Sequence, residues 1–135
     1  KRLNSYFKTG NPGIVDIMPT MAKHLRLTIP RTVEVELDGI PLTGRLSAIH
    51  PVITVQDSIL TIHWTPLLNE GIARIWVSTT NEFGKGGKDH YFQITSVAVS
   101  KGEASFKLKD MPSDFYKLVV EMPENVLTKW YLFAK

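Results

Sequence analysis

The stretch Thr79-Thr80-Asn81-Glu82-Phe83-Gly84-Lys85-Gly86-Gly87-Lys88-Asp89-His90 has the residue types of a phosphate cradle, with glycines and lysines interleaved. Its spacing does not support that chemistry. A phosphate loop needs a lysine followed by Ser or Thr and a helix whose N-terminus faces the anion, whereas Lys88 precedes Asp89 and strand-forming sequence flanks the loop. A long flexible connection between strands is the better account. His24, His50, His63 and His90 lie scattered, without a second histidine or a carboxylate pair at ligand spacing, so neither a metal nor another cofactor is expected in this chain. No serine sits in a nucleophile elbow and there is no cysteine, which leaves no candidate catalytic residue. The aromatics are more informative. In Ile72-Ala73-Arg74-Ile75-Trp76-Val77 the alternation sends Ala73, Ile75 and Val77 inward and leaves Arg74 and Trp76 outward. Tyr91 and Tyr131 are candidates for the same face. Such a surface can stack on a sugar ring, or Trp76 can pack beneath Arg74 or against a neighbouring domain; packing is favoured over carbohydrate.

The elements that position these residues are mainly strands. Leu60, Ile62 and Trp64 alternate on one face of Leu60-Thr61-Ile62-His63-Trp64-Thr65-Pro66, and Tyr116, Leu118, Val120 and Met122 do the same in the stretch from Phe115 to Met122, with Lys117 and Glu121 turned the other way. Short alternating runs separated by turns continue beyond Gly44. They predict strands at Val52 to Val55, Ile59 to Thr65, Ile72 to Thr79, Tyr91 to Val99, Ala104 to Leu108, Phe115 to Met122 and Val126 to Phe133, the pattern of an antiparallel β-sandwich with Trp64 and Tyr116 in its core. Before the sandwich, Asn11-Pro12-Gly13 signals a turn and Asp16 is suited to cap a short helix through Leu25 that ends before Pro30. The stretch Arg31 to Leu37 fits either a strand or a short helix closed by Asp38-Gly39. Ile17, Met21 and Leu25 share a helical face, and so short a helix must dock on something. Residues 1 to about 45 are therefore expected to be held by the sandwich or by a homodimer contact through the helix, and to be the least protected part of the chain.

At 135 residues with 43% hydrophobic content, the chain is long and apolar enough for one packed domain or a small domain plus a fragment. Its net charge of +3 is spread among 13 acidic residues, which argues against a nucleic-acid surface. No apolar run reaches the length of a membrane span. The first residue is Lys1, so a piece of a longer protein is expected.

Two family resemblances follow from particular residues. Val15-Asp16-Ile17-Met18-Pro19-Thr20-Met21-Ala22-Lys23-His24-Leu25, then Ile29-Pro30, then Leu37-Asp38-Gly39-Ile40-Pro41-Leu42 resembles the D-I-x-P-T … L-G-I-x-x-P … x-D-G-x-x-L passage near the end of the catalytic domain in alkaline-phosphatase-superfamily hydrolases, which include phosphodiesterases, nucleotide pyrophosphatases and sulfatases. Arg26 departs from the glycine common after that helix. In the family this passage is structural, and the nucleophile and the metal-binding Asp and His residues lie upstream. Residues 48–135 resemble a fibronectin type III domain: Trp64 is followed by Pro66 in the second strand, and Tyr116 opens the sixth after Phe106-Lys107-Leu108-Lys109-Asp110-Met111-Pro112, with Met111 where a leucine usually lies beneath the tyrosine corner. Together the resemblances imply a remnant of a catalytic domain over residues 1–47 followed by an immunoglobulin-like or fibronectin type III-like sandwich over 48–135. They imply a noncatalytic scaffold or docking module of a secreted or periplasmic phosphodiesterase or related hydrolase, with its own upstream catalytic domain as partner and zinc or another divalent metal in that domain. The alternative is a carbohydrate-binding sandwich.

Overall fold

Alternation at period two builds the core. In the computed structural model, which describes residues 3–9 and 12–133, β1 (Ala48–Gln56), β2 (Ile59–Pro66) and β5 (Glu103–Lys107) form one antiparallel sheet in the order β1-β2-β5. The second sheet has the order β4-β3-β6-β7, from β3 (Ile72–Ser78), β4 (Phe92–Ala98), β6 (Phe115–Glu121) and β7 (Val126–Leu132), again all antiparallel. This is a seven-stranded immunoglobulin or fibronectin type III-like sandwich. Its centre contains Leu60, Ile62, Trp64, Ile75, Tyr116, Leu118 and Val120, all buried. Trp64 donates its Nε1–H to the Val99 carbonyl at 2.9 Å, and the Tyr116 hydroxyl donates to the Met111 carbonyl at 2.6 Å, so both large aromatics bury their rings without orphaning their polar ends. The second bond is a tyrosine corner. Strand β1 starts four residues earlier than the alternation predicts because Pro51 lies in a bulge between Ile49 and Val52, where an edge strand tolerates proline.

The N-terminal segment is helical. A 3-10 turn over Ile14–Asp16 runs into α2 (Ile17–His24), preceded by α1 (Ser5–Thr9) and followed by α3 (Arg31–Glu34). Of the two conformations open to Arg31 to Leu37, the chain takes the helix. In the expected Asn11-Pro12-Gly13 turn, Asn11 lies outside the described residues. Asp16 stands at the N-cap of α2 but does not cap it with its side chain. Its backbone is already helical (φ −84°, ψ −10°), whereas a capping carboxylate reaches the first-turn amides from extended backbone. The C-terminus closes on Arg26, whose φ of 57° is left-handed, with Leu27 N–H bonded to the Ala22 carbonyl at 2.8 Å.

The helical segment reaches the sandwich through Lys23 Nζ, which donates to the Glu124 carbonyl at 3.4 Å. Lys23 Nζ donates to the Arg45 carbonyl at 2.6 Å, Ile40 and Leu46 enter the main core, and Asn125 fastens the entry to β1 by accepting from Ser47 N–H at 2.8 Å and donating to the Ala48 carbonyl at 3.0 Å. The apolar helix face points elsewhere. Ile17, Met21 and Leu25 are each more than half exposed, while Pro19 is the buried residue of α2.

Candidate functional site

The polar residues of the Asp16-to-Leu42 passage are spent on holding it together. The Asp16 carboxylate, 1% exposed, accepts from Gly13 N–H (2.8 Å), Ile40 N–H (2.7 Å) and the Tyr6 hydroxyl (3.2 Å). Burial, followed by the adjacent Asp16 charge and this hydrogen bond, raises the Tyr6 pKa. Thr20 Oγ1 donates to the Asp16 carbonyl at 2.6 Å and accepts from Leu42 N–H at 2.9 Å. Gly39 packs so tightly against Val15 that a Cβ would strike its carbonyl oxygen. Asp16, Thr20 and Gly39 thus pin α2 to residues 39–42, and none of them is left to do chemistry.

The strongest concentration of charge lies on the outer face of the four-stranded sheet. Strand β6 turns Lys117, Val119 and Glu121 outward, and residues 31–38 cross over that face, which is why β6 is buried on both sides. Lys117, its side chain only 3% exposed, donates to Glu36 and, at 2.7 Å, to Asp89. Two carboxylates against one ammonium would leave excess negative charge in a dry site, so further donors converge on them. Tyr91 O–H donates to Glu36 at 2.8 Å, and Thr80 O–H and Glu82 N–H donate to Asp89 at 2.6 and 2.7 Å. Burial alone would raise the Asp89 pKa, but the hydrogen bonds from Lys117, Thr80 and Glu82 and the Lys117 charge hold it well below the usual carboxylate range. Burial, the bond to Glu36 and the charges of Glu36 and Asp89 push Tyr91 far above its ordinary value, so it stays a donor.

The glycine-rich stretch is organised around the same carboxylate. A 3-10 turn forms over Phe83–Lys85, and the loop amides of Glu82 and Phe83 point at Asp89. Amides that would cradle a phosphate are already committed to an internal anion. The loop is therefore a tethered strap over the sheet, not the loose connection that its composition implies.

Of the residues singled out by alternation, Trp76 and Arg74 do face outward, opposite Val119 and Glu121. Trp76 has a partner from the same chain: Arg31 covers one face of its ring, with its guanidinium 4.9 Å from the ring centre, and pairs with Glu121. Arg74 stays 61% exposed and reaches Glu121 only at 3.8 Å, so the cation over the indole is Arg31 and not Arg74. Tyr91 joins the buried charge cluster. Tyr131 does not share this face, because the β6–β7 register sets it opposite Tyr116 on the inner side, where it meets Phe133 edge to face at 5.0 Å. Its neighbour Trp130 is the outward aromatic, opposite Lys117 and 47% exposed. Between the N-terminal segment and the loop lies a mainly apolar cavity of about 300 Å³, walled by Trp76, Phe83, Tyr91 and Val35 with Arg31 and Lys88 also lining it. His63 pairs across strands with Thr54 at 3.0 Å and Glu103 at 3.4 Å. Among the described residues no three His, Cys, Asp or Glu side chains gather as a metal would need, and no helix is long and apolar enough to cross a membrane.

Against known proteins, the chain matches no family model and no curated sequence. Glu36, Asp89 and Lys117 escaped sequence reasoning because their contacts join positions 81 and 28 residues apart, beyond any local spacing rule. The only signal was an outward lysine within a strongly apolar strand.

Proposed function

We propose that the chain is a noncatalytic C-terminal accessory module of a secreted or periplasmic alkaline-phosphatase-like hydrolase. In this account the sandwich grips the last elements of the catalytic domain through the Glu36, Lys117 and Asp89 cluster and holds them in register for the upstream fold. The observation that carries it is how the helical segment is oriented. Its motif residues Asp16, Thr20 and Gly39 are consumed in internal bonds and close packing, while Ile14, Val15, Ile17, Met18, Met21, Leu25 and Leu27 are each more than half exposed on the part left uncovered by the sandwich. Uncovered apolar surface of this extent is suited to packing against a larger fold. The upstream domain would supply the nucleophile and the zinc or other divalent metal, and this chain alone would turn over neither phosphodiesters nor sulfate esters. Reading the gene upstream of Lys1 tests the proposal. A Ser or Thr nucleophile with an Asp and His metal set supports it, and an unrelated upstream domain overturns it.

A second reading, carbohydrate binding, is favoured by one observation: Trp130 keeps an exposed ring on the outer sheet face. Titration with polysaccharides tests it. Binding lost on Trp130→Ala supports it, and no binding to any glycan removes it.

A further inference from the structure

The cavity beneath the 79–90 loop has the size and lining of a small-molecule site, since such sites begin at about 300 Å³ and are largely apolar with a few polar groups. Its walls are aromatic: Trp76, Phe83 and Tyr91. The polar groups around it are unevenly spent. Both carboxylates at the cavity, Glu36 and Asp89, are sealed by Lys117, Tyr91, Thr80 and loop amides, with side chains 8% and 0% exposed. A ligand finds no free acceptor in either. Donors remain. Among the described residues Lys88 forms no ion pair and is exposed, and the exposed Thr32 hydroxyl has no protein hydrogen-bond partner; the Trp76 Nε1–H also lacks an acceptor but is buried out of a ligand's reach. Arg31, its side chain 47% exposed, adds a guanidinium that is shared with Glu121.

We infer that this cavity binds a small planar aromatic molecule carrying a carboxylate, its ring among Trp76, Phe83 and Tyr91 and its charge toward Lys88. The complementarity has two parts. An apolar body is needed because a polar one would lose its hydration against aromatic walls without finding acceptors, and an anion is needed because the uncommitted groups are donors. A sugar fits less well, because its hydroxyls need acceptors as well as donors and Arg31 already covers one face of Trp76. The inference does not depend on the hydrolase reading; a chain with an unrelated upstream domain would keep the cavity.

The test is calorimetric titration of the full chain with naphthoate, its neutral isostere naphthamide and the cation naphthylmethylammonium, repeated on Lys88→Glu and Phe83→Ala. Naphthoate is expected to saturate and to bind about tenfold or more tightly than the amide. Lys88→Glu should abolish that preference, and Phe83→Ala should weaken binding of both naphthoate and the amide. Equal binding of the three probes, no saturable binding, or an anion preference that survives Lys88→Glu would overturn the inference.

Discussion

Arg26 occupies left-handed backbone at the end of α2, where a side chain costs about 1 kcal/mol relative to glycine. Its side chain is exposed, so removing it sacrifices little packing. Arg26→Gly should therefore raise stability by about 0.5–1 kcal/mol in urea unfolding; a loss would mean that the guanidinium makes contacts in solution that offset the strain. Asp89 gives a prediction in pH. Its folded-state pKa is depressed, so its contribution is complete above the unfolded value of about 3.9 and is lost as pH falls through the folded one. Asp89→Asn should lower stability near neutrality and flatten its decline below about pH 4. Acid unfolding with an unchanged slope would contradict that assignment. The sequence made Trp64, Tyr116 and the outward Trp76 legible through alternation alone. The Asp89 role was not legible, because glycine and lysine content advertises a mobile loop while the carboxylate that fastens it looks like any surface acid.

Among the elements, strands were read closely because their period is local: β2, β3, β4, β5, β6 and β7 all begin and end within a residue or so of the alternating runs. Where tertiary context decides, sequence fell short. Arg31 to Leu37 alternates like a strand yet starts as α3, because its task is to present Arg31 to Trp76 and Glu36 to Lys117 on the sheet face. Helix α2 turns Asp16, Thr20 and Lys23 toward residues 40–45, which leaves its apolar stripe of Ile17, Met21 and Leu25 uncovered within this chain, a placement that the stripe alone does not specify. Close approach at Gly39 makes the junction between α2 and residues 39–42 the sharpest point of this arrangement. Gly39→Ala should cost roughly 1–3 kcal/mol through overpacking against Val15. Thermal melts would measure it, and a neutral outcome would show that this contact is loose in solution.

For the whole molecule, the boundary placed between residues 47 and 48 coincides with the start of β1, but Ile40 and Leu46 lie in the same core as Trp64. The helical segment and sandwich thus share apolar burial as well as the buried ions. Lys117→Met, which leaves two buried carboxylates without their cation, should cost about 3–5 kcal/mol and loosen the segment from the sheet. Where the sequence alone led to the expectation that the first 45 or so residues are the least protected part of the chain, these contacts predict protection equal to that of the sandwich. With these contacts the sandwich should grip the segment as one cooperative unit. Native-state hydrogen exchange tests it most directly, by comparing Ile40 and Leu42, whose amides bond to Asp16 and Thr20, with Ile62 in β2. All three are expected to exchange through the same global opening in the native protein, and Ile40 and Leu42 to become faster than Ile62 in Lys117→Met. Rapid local exchange at Ile40 and Leu42 in the unmodified protein, with Ile62 still protected, would contradict it.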